Sequence, residues 1–294
     1  MGSYNDALAA INRALRINPN YSQALWFKGI LEIWFQKNFR EGLKILHNVV
    51  RYEHGPQLPS MLVNLGYIYF QLGLYDLSQK YNLAYAGISG DSSKYYYYLS
   101  EEARVNGDYD RAGEYLHYLY SKDTLKLDFL LGSAWIAMMK NDYKSALQSL
   151  ETYDKLTSFR LDHMHRLGYL FWVMGDKNTA IDYFDEQIMV CNENIKLNRW
   201  YANRFREAYY DLAGIYFFTG DKDQGFKCLK EFGNQIFVPP WMIEIMKIDP
   251  LFESVREAGE FNFVLNSLAE KTELEKSRVL QMLEEEGFLE NPGF

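Results

Sequence analysis

The residues that could do chemistry in this chain are few and poorly spaced for it. The histidines are His47, His54, His117, His163 and His165. His163 and His165 lie two positions apart, which on a helix turns them to different sides, unlike the i, i+4 pair of an H-E-x-x-H metal helix. Glu284, Glu285 and Glu286 are consecutive and read as a solvated face rather than a staggered calcium site. Cys191 and Cys228 belong to no C-x-x-C or metal spacing and read as buried free thiols, with a disulfide between neighbouring helices left open. No G-x-S-x-G, Walker loop, G-x-G-x-x-G or zinc signature occurs. Carboxylates recur in any acidic helical chain, so their spacing alone argues no acid–base pair. The expectation is a chain that is not an enzyme, with no metal and no cofactor.

Binding chemistry is better represented. Aromatics make up 17% of the 294 residues, with 24 Tyr and 6 Trp, and such rings supply large contact area with polar edges. The net charge of −8 repels nucleic-acid phosphates and anionic membranes unless a basic stripe overrides it. The nearest candidate stripe, Lys196, Arg199, Arg204 and Arg206, is diluted by Asn and aromatic residues. No nucleic-acid partner and no membrane association are expected, and no apolar run reaches membrane-spanning length.

The elements that would position these side chains repeat. Leu62-x2-Leu65-Gly66-x2-Tyr69 is echoed by Tyr96-x2-Leu99-Ser100-x2-Ala103, Leu130-x2-Ser133-Ala134-x2-Ala137 and Met164-x2-Leu167-Gly168-x2-Phe171, each 34 residues on. A further copy, Tyr209-x2-Leu212-Ala213-x2-Tyr216, follows after 45. Spacings of 3, 4 and 7 put each set on one helical face, and the small third residue admits a close helix partner. Turns follow at Gly73, Gly107, Asn141, Gly175 and Gly220, where a left-handed residue can end a helix. Asp108, Asp142, Asp176 and Asp221 stand ready to cap the next helix. That second helix carries Ala112 with Leu116, Ala146 with Leu150, Ala180 with Phe184 and Gly225 with Leu229; Gly42 with Leu46 and Ser78 with Asn82 fit less well. The longer step predicts about three added helical turns near 195–205, with Trp200, Tyr201 and Phe205 either covered or forming a contact surface.

These motifs resemble the tetratricopeptide repeat, W-x2-L-G-x2-Y followed by A-x3-F and Pro, over about 235 residues. The resemblance implies an all-α, right-handed α-solenoid of helical hairpins: a half repeat plus six repeats in 1–235, then C-terminal capping helices in 236–294 packed on the last repeat. Tyr4, Ala7, Ile11, Ala14 and Pro19 match a second helix without its first. The chain is therefore expected to be a piece of a longer protein that continues upstream.

In that family the first helices line a concave face. The resemblance then implies a peptide-binding groove of Tyr67, Phe70, Tyr97, Arg104, Trp135, Met138, His165, Tyr169, Trp172, Tyr210 and Phe217. Family members that clamp a carboxylate use Lys, Arg and Asn at these places, of which only Arg104 is present, so a carboxylate clamp is disfavoured. An apolar helix or extended segment of a partner protein suits such a lining. The alternatives are that several rings pack between helices, or that the C-terminal segment fills the groove.

Beyond Pro239-Pro240, the residues Trp241, Ile245, Ile248, Leu251, Phe252 and Val255 supply an apolar face, Asp249-Pro250 opens a short helix, and 261–286 reads as a long one ended by Gly287. Ile248-Asp249-Pro250-Leu251-Phe252, Glu260-Phe261 and Glu270-Lys271 resemble the tail that closes many bacterial repeat modules, with Gly259 where that family carries Asp or Pro. That resemblance implies the C-terminal sensory or interaction module of a larger cytoplasmic signalling or transcription-regulating protein. A chaperone shielding an apolar segment in the aromatic groove is the alternative. The oligomeric state is left open.

Overall fold

The computed structural model describes residues 4–120, 126–157, 163–199 and 207–290. Every regular element among them is helical. After α1 (Tyr4–Ile17) the helices pair as antiparallel hairpins: α2 (Ser22–Trp34) with α3 (Phe39–Tyr52), α4 (Leu58–Gln71) with α5 (Tyr75–Ser89), and α6 (Ser93–Val105) with α7 (Tyr109–Tyr120). Then α8 (Lys126–Met139) pairs with α9 (Tyr143–Leu156), α10 (Met164–Val173) with α11 (Lys177–Lys196), and α12 (Glu207–Thr219) with α13 (Lys222–Gly233). The chain closes with α14 (Pro240–Ile248), a 3-10 turn (Pro250–Val255) and α15 (Gly259–Glu285).

The hairpins form for local reasons. Gly73, Gly107, Gly175 and Gly220 take φ of 70°, 76°, 96° and 96°, and Asn141 takes 59°. That left-handed step ends the first helix of each hairpin and reverses the chain. The Asp carboxylates then accept from the amides opening the second helix: Arg111 to Asp108 at 3.1 Å, Ser145 to Asp142 at 3.2 Å, Thr179 to Asp176 at 3.2 Å and Gln224 to Asp221 at 3.1 Å. The small residue of the first helix receives the bulky one of the second. A Cβ on Gly66 would lie 2.5 Å from Asn82, and one on Gly168 would lie 2.6 Å from Phe184. Ala112, Ala146 and Ala180 of the second helices are wholly buried. Part of the longer step before the last hairpin is α11 itself, 20 residues against 14 in α9; it ends at Lys196, so the expected helical turns near 195–205 do not continue it, and 200–206 lie outside the described residues. Asn198 then turns left-handed at φ 50°. Trp200, Tyr201 and Phe205 lie outside the described residues.

By contact the chain divides into two compact units, Met1–Asp91 with Ala269–Phe294, and Ser92–Leu268. In the first, the tail lies against the early hairpins. Lys44 and Glu286 pair at 2.5 Å, Lys80 donates to the Leu289 carbonyl at 3.3 Å, and Phe288 stacks on His47 with ring centres 4.4 Å apart. In the second, the 3-10 turn seats on α12: Ser254 donates to the Phe217 carbonyl at 3.0 Å, and Phe252 lies 5.2 Å from Tyr210 and 5.9 Å from Phe217. Cys191 and Cys228 are buried free thiols. No helix among the described residues is long and apolar enough to cross a membrane.

Candidate functional site

The second unit contains a cavity of about 360 Å³. Its walls come from the first helices of four successive hairpins and from α14. Tyr97, Glu101 and Arg104 face it from α6; Leu131, Trp135 and Met138 from α8; His165, Arg166 and Leu170 from α10; Glu207, Tyr210 and Asp211 from α12. Trp241, Met242 and Ile245 of α14 add to the lining, as do Asp128 of α8, Leu150 of α9 and His163. Positions 97, 131 and 165 are 34 apart and 210 follows 45 later, so the same register of these four hairpins reaches the cavity. The C-terminal segment contributes to the same cavity through α14.

Of the residues expected to line a groove, Tyr97, Arg104, Trp135, Met138, His165 and Tyr210 meet in this cavity. The others do not. Tyr67 packs on Trp34 at 5.6 Å and Phe70 on Tyr75 at 5.4 Å, both within the first unit. Tyr169 and Trp172 lie 5.5 Å and 5.6 Å from Phe218, which turns them into interhelical packing. Phe217 is 1% exposed, between Phe226 and Phe252. These rings of α10 are met by Phe218 of α12, and Phe217 of α12 by Phe252 of the 3-10 turn.

The polar groups of the wall are ordered by ion pairs. Arg104 grips Glu101 through two bonds of 3.1 Å and 2.5 Å. Arg166 grips Asp249, which is fully buried, at 2.7 Å and 2.6 Å, and donates to Tyr210 at 3.2 Å. Tyr210 donates to the same carboxylate at 2.5 Å, and the Leu251 amide does so at 3.0 Å. Both guanidinium groups lie over Trp135, Arg104 at 5.6 Å and Arg166 at 4.8 Å from the ring centre. Burial opposes the charge on Arg166, but Asp249 and Tyr210 outweigh it and hold the guanidinium protonated. Burial also keeps the Tyr97 and Tyr210 phenols neutral and raises the Asp128 carboxyl.

The two close histidines both border the cavity, His163 from the position that caps α10 and His165 from within it. His163 bonds Asp154 at 2.6 Å, while His165 Nε2 stands 3.6 Å from Asp211, beyond hydrogen-bond reach. Burial, then repulsion from Arg166, holds His165 well below its usual range, so it is neutral. No group of three His, Cys, Asp or Glu among the described residues is placed to hold a metal ion. Sequence reading passed over Arg166, Asp211 and Asp249. Arg166 sits between two expected positions, and Asp249 read as the start of a short helix and part of the tail motif, not as a partner of Arg166.

Residues 59–83, within α4 and α5, match the family model of the tetratricopeptide repeat. The fold is one of tetratricopeptide-type helical hairpins. Curated proteins give no match to the chain. Repeats of this type indicate a scaffold for contacts between proteins, and the family is typically non-catalytic.

Proposed function

We propose that this chain is a non-catalytic peptide-binding module whose site is the cavity of the second unit. Tyr97, Arg104, Trp135, Met138, His165 and Tyr210 are its binding residues. The observation that carries the reading is the convergence of one register from four hairpins on a single cavity, with apolar walls and a few fixed polar groups. The ion pairs that anchor Arg104 and Arg166 hold the wall in one shape before any ligand arrives, which lowers the ordering cost of binding. We further propose that the module is the cytoplasmic interaction half of a larger bacterial signalling or regulatory protein, a reading supported by the resemblance of its tail.

The test is a peptide-array screen on the full chain with Trp135→Ala and Trp172→Ala. Trp135 lines the cavity and Trp172 does not. Peptides should lose binding to the first variant and keep it with the second. Equal retention by both variants places the contact elsewhere and ends the proposal.

A further inference from the structure

The tail of the first unit closes over one histidine. Gly287 takes φ of 68° and ends α15, and the Phe288 amide donates back to the Leu283 carbonyl at 2.8 Å. That turn sets Phe288 against α3. Its ring stacks on His47 with centres 4.4 Å apart and planes 17° apart, and the Arg51 guanidinium lies over it at 4.8 Å. The rest of the tail is lightly held. Lys44 and Glu286 pair at the surface, with side chains 43% and 36% exposed, and such pairs add little. Lys80 donates to the Leu289 carbonyl at 3.3 Å. Beside the pair, a polar cleft of about 370 Å³ runs between α3 and α15, lined by Arg40, Lys44, Arg278, Gln281 and Glu285.

Under that roof His47 has no favourable place for a second proton. It is 1% exposed. Its Nε2 meets the Tyr69 hydroxyl from α4, and its Nδ1 meets the Tyr81 hydroxyl from α5 at 3.3 Å. Burial keeps both phenols neutral. The charges that act on the ring are Arg51 of α3 and Lys80 of α5, both cations. The tail offers the ring only the apolar face of Phe288, since its Glu286 is engaged with Lys44. An imidazolium here would be a buried charge among like charges. Burial first, then Arg51 and Lys80, accordingly hold His47 down at about 3.

We propose that residues 286–290 form an acid-released strap: Phe288 roofs His47 while the imidazole is neutral, and protonation of His47 frees the strap from α3 and α5 while the hairpins stay folded. The proposal stands on the first unit alone, whatever the cavity of the second unit binds. A histidine that titrates near 6.5 uncovered and at about 3 roofed favours the closed strap fully above pH 6.5, and that preference is lost as pH falls toward 3. Between pH 7 and pH 5 the ratio of open to closed strap should rise by up to about 25-fold.

The test is fluorine NMR on the full chain carrying Glu290→Cys labelled with a trifluoromethyl ketone. Position 290 is exposed, and the native thiols Cys191 and Cys228 are buried. Phe288→Ala in the same background supplies the signal of a free strap. The ratio of free to held label should rise at least fivefold from pH 7 to pH 5 with the far-ultraviolet spectrum unchanged. His47→Gln should abolish that rise. Glu286→Gln should loosen the strap at both pH values and keep the rise, and this variant decides the matter where His47→Gln fails to fold. A label equally held at pH 7 and pH 5, a rise that survives His47→Gln, a rise lost in Glu286→Gln, or release only together with loss of helix each overturns the proposal.

Discussion

Removing the Asp249 carboxylate is the most informative single perturbation of the second unit. In the folded chain this fully buried group accepts from Arg166 twice, from Tyr210 and from the Leu251 amide. Asp249→Ala strands a guanidinium whose side chain is 12% exposed, and also deletes the cap of the 3-10 turn. Breaking a buried pair from one side costs about 3–5 kcal/mol, because the remaining charge is left in low dielectric. A lost cap adds about 1 kcal/mol. Asp249→Asn keeps an acceptor for Tyr210 and for the cap, so it should cost less than the alanine. Arg166→Met removes the opposite charge, and the double variant Arg166→Met/Asp249→Asn should recover most of the loss. The assay is urea unfolding followed by circular dichroism and tryptophan fluorescence, with coupling taken from the double-mutant cycle. A coupling below about 0.5 kcal/mol, the level at which distant sites simply add, would refute the pair as the organiser of the cavity wall.

Four further outcomes follow from other positions. His47 is pushed down to about 3 by burial first, then by Arg51 and Lys80; Tyr81 meets its Nδ1 at 3.3 Å, Tyr69 meets Nε2, and Phe288 covers the ring. A histidine that binds its proton more weakly folded than unfolded stabilises fully above the unfolded value near 6.5, and that contribution is lost as pH falls toward 3. Melting temperature should therefore drop between pH 7 and pH 4, and His47→Gln should flatten that slope; an unchanged slope contradicts the assignment. Gly168→Ala would set a Cβ 2.6 Å from the Phe184 ring and 3.1 Å from the Ala180 carbonyl, and should cost about 1–3 kcal/mol. Gly113→Ala meets nothing within 4 Å inside α7 and should instead stabilise by up to about 1 kcal/mol in the same denaturation assay. The Cys228 thiol, raised to about 11 by burial, should react with a disulfide reagent at pH 8 only as fast as the chain unfolds; rapid labelling of the native protein would show the site to be open.

What was legible in the sequence was whatever local backbone chemistry dictates. Gly107 and Asn141 end their helices because few residues adopt φ of 76° or 59°, and Asp142 and Asp176 cap because a short carboxylate reaches the third amide on. The register of the cavity was half legible. It held at Tyr97, Trp135, His165 and Tyr210, where only the pitch of each hairpin matters. It lapsed at Tyr169, Trp172 and Phe217, because Phe218 and Phe252 cover those positions and no period encodes that cover. The partner of Arg166 lies 83 residues away, and no spacing rule joins the two. The seat of Phe288 on His47 was equally hidden, since one apolar helix face looks much like another until a particular hairpin receives it.

The pairing of Lys44 with Glu286 spans 242 positions. As a ribosome delivers this chain in order, the hairpins that emerge earliest must wait, their His47 and its neighbouring tyrosines uncovered, until the residues that shield them have been synthesised. Translation therefore holds open a window in which a nascent-chain chaperone would find the early hairpins incomplete. A stop codon anywhere before position 286 would make that window permanent.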